Sequence, residues 1–131
     1  LVGPYARLRP GAVMERGAHM GNFVEMKKAH IGNGTKVPHL SYVGDAELGD
    51  HTNIGGGTIT ANYDGVHKNR TKIGAGCHVG AGNLFVAPVE VGDNVTTGAG
   101  SVLRHEVPSD SMVYSENTQH NVEGWKPAWE R

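Results

Sequence analysis

The stretch KVPHLSYVGDAELGDHTNIGGGTITANYDG, residues 36–65, decides how the rest of the chain is read. Its aliphatic residues Val37, Val43, Leu48 and Ile54 stand six, five and six positions apart. A strand repeats every two residues and a helix about every 3.6, so neither alone produces this spacing. Short strands joined by tight turns, three to a coil and stacked as a parallel β-helix, do produce it.

The same beat runs outward in both directions. Upstream it passes through Val2, Leu8, Met14, Met20, Met26 and Ile31; downstream it resumes at Ile73, Val79, Phe85, Val91, Thr97 and Leu103. Glycine often follows the beat residue, as at Gly21, Gly32, Gly44, Gly55, Gly74 and Gly92. Four positions after the beat comes a small or β-branched side chain, such as Ala18, Val24, Thr35, Ser41, Thr52, Cys77 and Ser101. The beat residue fills a narrow triangular core, and the small one leaves room at a corner. Glycine makes up 20 of the 131 residues, far above the roughly 7% of ordinary chains. Because it recurs with a period, it marks turns rather than disorder. Sixteen ordered positions set aside a glycine-rich β-sandwich, and the fold class is all-β.

Between Ile59 and Ile73 the beat stops, and TANYDGVHKNRTK is too polar and long for a corner. Residues 60–72 are therefore predicted as a loop extruded from the coil, with Asp64-Gly65 as its turn. The β-helix is expected over residues 1–107, followed from Pro108 by a tail, 108–131. Trp125 and Trp129 are expected to pack that tail down, on the helix itself or on a neighbour.

A formal net charge of −1 gives no reason to expect nucleic acid or a membrane surface as partner. The single cysteine, Cys77, excludes an internal disulfide framework and fits a reducing, cytoplasmic compartment. No apolar run approaches a membrane span. The chain opens at Leu1 in mid-pattern, as a fragment or an excised domain would.

Coil arithmetic brings distant residues together. Arg9 and Lys27 lie 18 positions apart, one coil, and are expected side by side on one face. Two cations so placed either hold an anion such as a phosphate between them or stand as separate solvated charges. Where a five-residue step shortens the coil to 17, Glu25 falls under Tyr42 and Asn22 under His39. His39 follows Pro38 at a corner. It is either a general base, with Asn22 holding the ring in one tautomer, or a corner histidine bonded to backbone. His19, His30, His39, His51, His67, His78, His105 and His120 are scattered without the short spacing of a zinc site, so no metal is expected. A P-loop, a dinucleotide fingerprint and a serine nucleophile elbow are all missing.

The strings RLRPG, GNFVEMKKA, HLSYVGDAELGDHTNIGGGTITANYDG and VAPVEVGDN, in that order, closely resemble one family. It is the acetyltransferase half of the bacterial bifunctional N-acetylglucosamine-1-phosphate uridylyltransferase / glucosamine-1-phosphate N-acetyltransferase. The resemblance runs over residues 1–125. It implies a left-handed parallel β-helix assembled as a homotrimer, with active sites between subunits. It implies acetyl transfer from acetyl-coenzyme A, a co-substrate, to the amine of glucosamine-1-phosphate. The family's catalytic base falls on His39. Its sugar-phosphate contacts fall on Arg9, Lys27, Tyr42, Asn53 and Lys68, and its acetyl-coenzyme A contacts on Gly56, Asn62, Tyr63, Ala81 and Ala99. Position 56 is more often alanine in the family and position 81 serine. Glu116 stands where the family has an arginine that meets the cofactor phosphate, which is expected to weaken cofactor binding. The family's N-terminal uridylyltransferase domain has no counterpart in this chain, so no magnesium-dependent step is expected of it. Two other readings stay open at this point: a hexapeptide acyltransferase with a different amine acceptor, and a non-catalytic trimeric scaffold.

Overall fold

The computed structural model describes residues 1–131, and the beat residues sort into three columns. Leu8, Met26, Val43, Thr60, Phe85 and Leu103 stack on the first face. Met14, Ile31, Leu48, Ile73, Val91 and Val107 stack on the second. Val2, Met20, Val37, Ile54, Val79, Thr97 and Val113 stack on the third. All of this pairing is parallel, so each coil returns above the last. The architecture is the parallel β-helix that the six-residue spacing predicts.

The inward residues form one continuous core, with Met20, Met26, Ile31, Val37 and Phe85 fully enclosed. Val2 and Leu8 remain about half exposed because the first coil has a neighbour on one side only. The small residues four positions on are buried at the corners, as expected. Those with hydroxyls satisfy the turn backbone. Thr35 Oγ1 accepts from the Thr52 N–H at 3.0 Å, and Thr52 Oγ1 from the Cys77 N–H at 3.1 Å, one coil to the next. Burial pushes the Cys77 thiol up, which keeps it an inert member of this ladder.

Most corners turn through a residue in the left-handed region, though those between Phe85 and Val91 and between Leu103 and Val107 do not. Between the first and second faces these are Gly11, Lys28 and Asp45; between the second and third, Gly17, Gly34, His51, Gly76, Asn94 and Asp110. Between the third and first they are Tyr5, Phe23, Leu40, Gly57, Gly82 and Gly100. Gly21 is required for closeness rather than for φ. A Cβ there would fall onto the Pro38 carbonyl of the next coil.

Three expectations are corrected. The extruded loop is shorter than 60–72, because Ile59–Ala61 and Thr71–Ile73 are strands. Thr60, not Ile59, fills the core: it is 2% exposed against 47% for Ile59, and its Oγ1 accepts from the Gly44 N–H at 2.8 Å. The coil also continues past Val107, since Met112–Val113 pairs with Thr96–Thr97. The step from Leu103 to Val107 is only four residues, which hides the resumed beat at Val113. The tail tryptophans do not pack on the coil; Trp125 is 61% and Trp129 86% exposed, with the Arg131 guanidinium over the Trp125 ring at 5.7 Å. No helix is long and apolar enough to cross a membrane.

Candidate functional site

The extruded loop leaves the coil at the corner between the first and second faces, above Lys28 and Asp45. Tyr63 and Lys68 form an antiparallel bridge, and the Asn69 N–H donates to the Asn62 carbonyl at 2.6 Å. Asp64 caps the turn: its Oδ1 accepts from the N–H groups of His67 at 2.6 Å and Val66 at 2.8 Å. Those two bonds, aided by Asn69, hold its carboxyl below the usual aspartate range. The charged form is therefore the one that orders the loop. That contribution is complete above the ordinary aspartate range and is lost as pH falls through the lowered value. An NMR titration is expected to place the Asp64 midpoint below 3.8, the ordinary value. Asp64→Ala is expected to speed hydrogen exchange at Val66 and His67. An ordinary midpoint with unchanged exchange would mean that Asp64 does not hold the turn.

The loop folds back over a polar cluster on the first face. Asn62 Nδ2 donates to Asp45 Oδ2 at 2.6 Å and to the Tyr42 hydroxyl at 3.2 Å. Lys27, 8% exposed, places Nζ 3.5 Å from Asp45 Oδ2. Lys68, on the loop, comes close enough to Lys27 for each cation to act on the other. Two ammonium groups so placed repel unless an anion lies between them. Lys27 is held above the ordinary lysine value by the charges of Asp45 and Tyr42. Lys68 is pushed down by the charges of Lys27 and Lys28.

Arg9 and Lys27 are neighbours in register, as the 18-residue spacing predicts, for Leu8 pairs with Met26 and the Arg9 N–H donates to the Met26 carbonyl at 2.8 Å. The two do not face a common anion alone, however. Arg9 Nη1 is bound to Glu25 Oε2 at 3.0 Å, and Lys27 is paired with Asp45. The cation beside Lys27 is Lys68, which arrives on the loop from 41 residues away and is invisible to coil arithmetic. Glu25 lies under Tyr42 and Asn22 under His39, both as predicted.

His39 ends the strand Lys36–His39 at the opposite edge of the first face. Its carbonyl accepts from Ser41 Oγ at 2.7 Å, but its exposed ring makes no hydrogen bond within the chain, to Asn22 or to backbone. A corner histidine that merely ties backbone together is thus not what is present. His39, Gly56, Ala81 and Ala99 each directly precede a left-handed corner residue, so they descend one edge as a column. Backbone bonds join the coils there: Gly57 to Leu40, Gly82 to Gly56 and Gly100 to Ala81. An alanine Cβ at position 56 would meet the His39 Cβ at 3.4 Å, an ordinary contact, so Gly56 only widens the space beside the ring. At the foot of the column Asn117 Nδ2 donates to the Gly100 carbonyl at 3.2 Å, which sets the exposed Glu116 near that edge.

The predicted residues therefore fall into three places. Arg9, Lys27, Tyr42, Lys68 and Asn62 gather on the first face and its loop; His39, Gly56, Ala81 and Ala99 line one edge. Asn53 is on the third face, paired in register with Lys36 and His78. Tyr63 is exposed on the loop, with its hydroxyl donating to the Gly65 carbonyl at 2.8 Å. No cleft of the single chain encloses His39 or Lys27. Among side chains that could bind a metal, no group of three His, Cys, Asp or Glu residues gathers. Sequence reasoning missed Asp45. The signal was a carboxylate directly after Gly44, the residue one 17-residue coil on from Lys27.

Residues 70–105 match the bacterial transferase hexapeptide family (six repeats). Over 130 residues the chain is 85% identical to the bifunctional protein GlmU of Bifidobacterium longum (strain NCC 2705), covering 99% of this chain and 28% of that protein. It is 58% identical over 125 residues to the GlmU of Streptomyces griseus, covering 95% of this chain and 26% of that protein. The chain thus spans 28% and 26% of the length of these two relatives. The acetyltransferase domain of PglB from Neisseria gonorrhoeae, in complex with acetyl coenzyme A, has a TM-score of 0.73 at 24% identity, over 83% of this chain and 51% of that one. PerB from Caulobacter crescentus, in complex with CoA and GDP-perosamine, has a TM-score of 0.74 at 20% identity, over 86% and 53%. At that identity the likeness concerns the fold alone.

Proposed function

We propose that this chain, which belongs to the hexapeptide-repeat transferases, transfers acetyl from acetyl-coenzyme A to the amine of glucosamine-1-phosphate. The observation that carries this reading is the enclosed Lys27, 3.5 Å from Asp45, beneath the loop that brings in Lys68. Two cations gathered at one corner repel each other and are well matched to a phosphate between them. Arg9 and the Tyr42 hydroxyl extend the cradle along the same face.

In this reading His39 takes a proton from the acceptor amine as its nitrogen attacks the thioester carbonyl carbon. The new C–N bond forms, the C–S bond breaks, and the proton passes from the imidazole to the departing sulfur. A ring with no partner in its own chain is free to do this. Gly56, Ala81 and Ala99 offer backbone and little side chain along the edge, as an extended thioester chain running past His39 requires. Asn62 and Tyr63 stand at the loop, on the opposite edge of the first face from this route, while Glu116 at its far end is expected to repel a cofactor phosphate.

Asn53 lies on a different face from Lys27 and Tyr42, and no single-chain cleft encloses the site. A second copy presenting its third face to this first face would bring Asn53 in and wall off the site. This supports the homotrimer with intersubunit sites, and a cytoplasmic setting remains part of the same proposal. The test is thiol release from acetyl-coenzyme A with glucosamine-1-phosphate, glucosamine or an unrelated amine as acceptor. Turnover confined to the phosphorylated sugar is expected. Equal use of unphosphorylated amines would mean a different acceptor, and no turnover with any of them would mean a scaffold.

A further inference from the structure

Asp45 has no part in the chemistry above, yet its placement is unusual. It is 7% exposed and holds φ at 49°, in the left-handed region that favours glycine. At the corner where Gly11 and the exposed Lys28 serve in the preceding coils, an enclosed carboxylate is kept instead. Its partners are three residues of the proposed site: Asn62 directly, Tyr42 through Asn62, and Lys27.

The directions of these bonds follow from the chemistry of the groups. An ionised carboxylate can only accept, so the Asn62 atom 2.6 Å from Asp45 Oδ2 must be Nδ2. The same Nδ2 donates its other hydrogen to the Tyr42 oxygen at 3.2 Å. Both amide hydrogens are then committed. The Asn62 Oδ1 has no partner in the chain and is not among the enclosed polar atoms left unsatisfied, so it is open to a ligand. The Tyr42 oxygen, having accepted, keeps its own hydrogen to give.

We propose that Asp45 is a positioning residue that sets the hydrogen-bond polarity of the sugar-phosphate subsite. Through Asn62 it makes the amide present an acceptor and the Tyr42 phenol a donor, while its charge keeps Lys27 beside Lys68 as one cationic cradle. The acceptor suits an N–H or O–H of an amino sugar; the donor and the two cations suit phosphate oxygens. This rests on the acetyl-transfer reading.

Asp45→Asn is nearly isosteric, but it removes the charge and lets the Asn62 amide turn over. With wild-type turnover of glucosamine-1-phosphate measured first, the KM and the calorimetric Kd for that sugar are expected to rise about fivefold in the variant, with kcat within about threefold. The alkaline limb of sugar-phosphate binding is also expected to move to lower pH. Asp45 raises Lys27 and Lys68 against the mutual repulsion of Lys27, Lys28 and Lys68, with Tyr42 as the other group facing Lys27. Tyr42→Phe should weaken binding in the wild type and add little in the Asp45→Asn background, because the phenol is already misdirected there. Should Asp45→Asn fail to fold, Asn62→Ala breaks the same relay without touching the carboxylate. It is expected to reproduce the weakened binding and the missing effect of Tyr42→Phe. Fully additive effects, or a KM and an alkaline limb equal to those of the wild type, would overturn the proposal while leaving the acetyl-transfer reading intact. A wild type that neither binds nor turns over glucosamine-1-phosphate would remove both.

Discussion

Replacing His39 by alanine is expected to lower turnover of glucosamine-1-phosphate about 10²–10⁴-fold, the usual contribution of a positioned proton acceptor. Binding of the sugar phosphate should survive, because the cationic cradle of Lys27 and Lys68 lies at the other edge of the face. Folding should survive as well, since the ring is exposed and bonds nothing in its own chain. His39→Asn is the sharper control. An asparagine can donate and accept hydrogen bonds at this position but cannot take a proton. Near-normal turnover by that variant would refute the base assignment and leave proximity with a pre-deprotonated amine to explain the rate.

Lys27→Ala is expected to raise the KM for glucosamine-1-phosphate about 10–100-fold while leaving the KM for acetyl-coenzyme A within about threefold. One charge-assisted bond contributes roughly 1.5–3 kcal/mol, and about 1.4 kcal/mol corresponds to tenfold. Lys27 is nearly enclosed, so its removal also leaves the buried Asp45 carboxylate with Asn62 as its remaining partner. That separates two effects which steady-state kinetics alone would merge. The double variant Lys27→Ala/Asp45→Asn should recover the melting temperature lost in the single variant, but not the affinity for phosphate. Equal rises in both KM values would mean that Lys27 serves the fold and not the sugar phosphate.

How far the residues announced this arrangement depends on whether a pattern or a contact was being read. The three-sided coil was legible because its cause is periodic: Val37, Val43, Leu48 and Ile54 must each point inward once per face, and no other regular structure repeats at that distance. The stacking of Glu25 under Tyr42 and Asn22 under His39 was legible for the same reason, as arithmetic on the coil length. The reading failed where a polar residue took an apolar place. Thr60 stands six residues after Ile54, but a search for aliphatic side chains passes over it and ends the beat at Ile54; it fills a core position because its hydroxyl finds the Gly44 backbone. The reading also failed where a turn lost two residues, between Leu103 and Val107, and hid the strand Met112–Val113.

The sequence by itself determined the β-helix, the corner position of His39 and the adjacency of Arg9 and Lys27, because each follows from a repeat that acts along the chain. The tertiary structure alone decided which charges meet. Arg9 turned to Glu25, Lys27 to Asp45, and Lys68 arrived on a loop whose path no period describes. Side chains choose partners by distance and direction across the coils. A loop outside the repeat reaches the corner only through its own turn, here the one capped by Asp64.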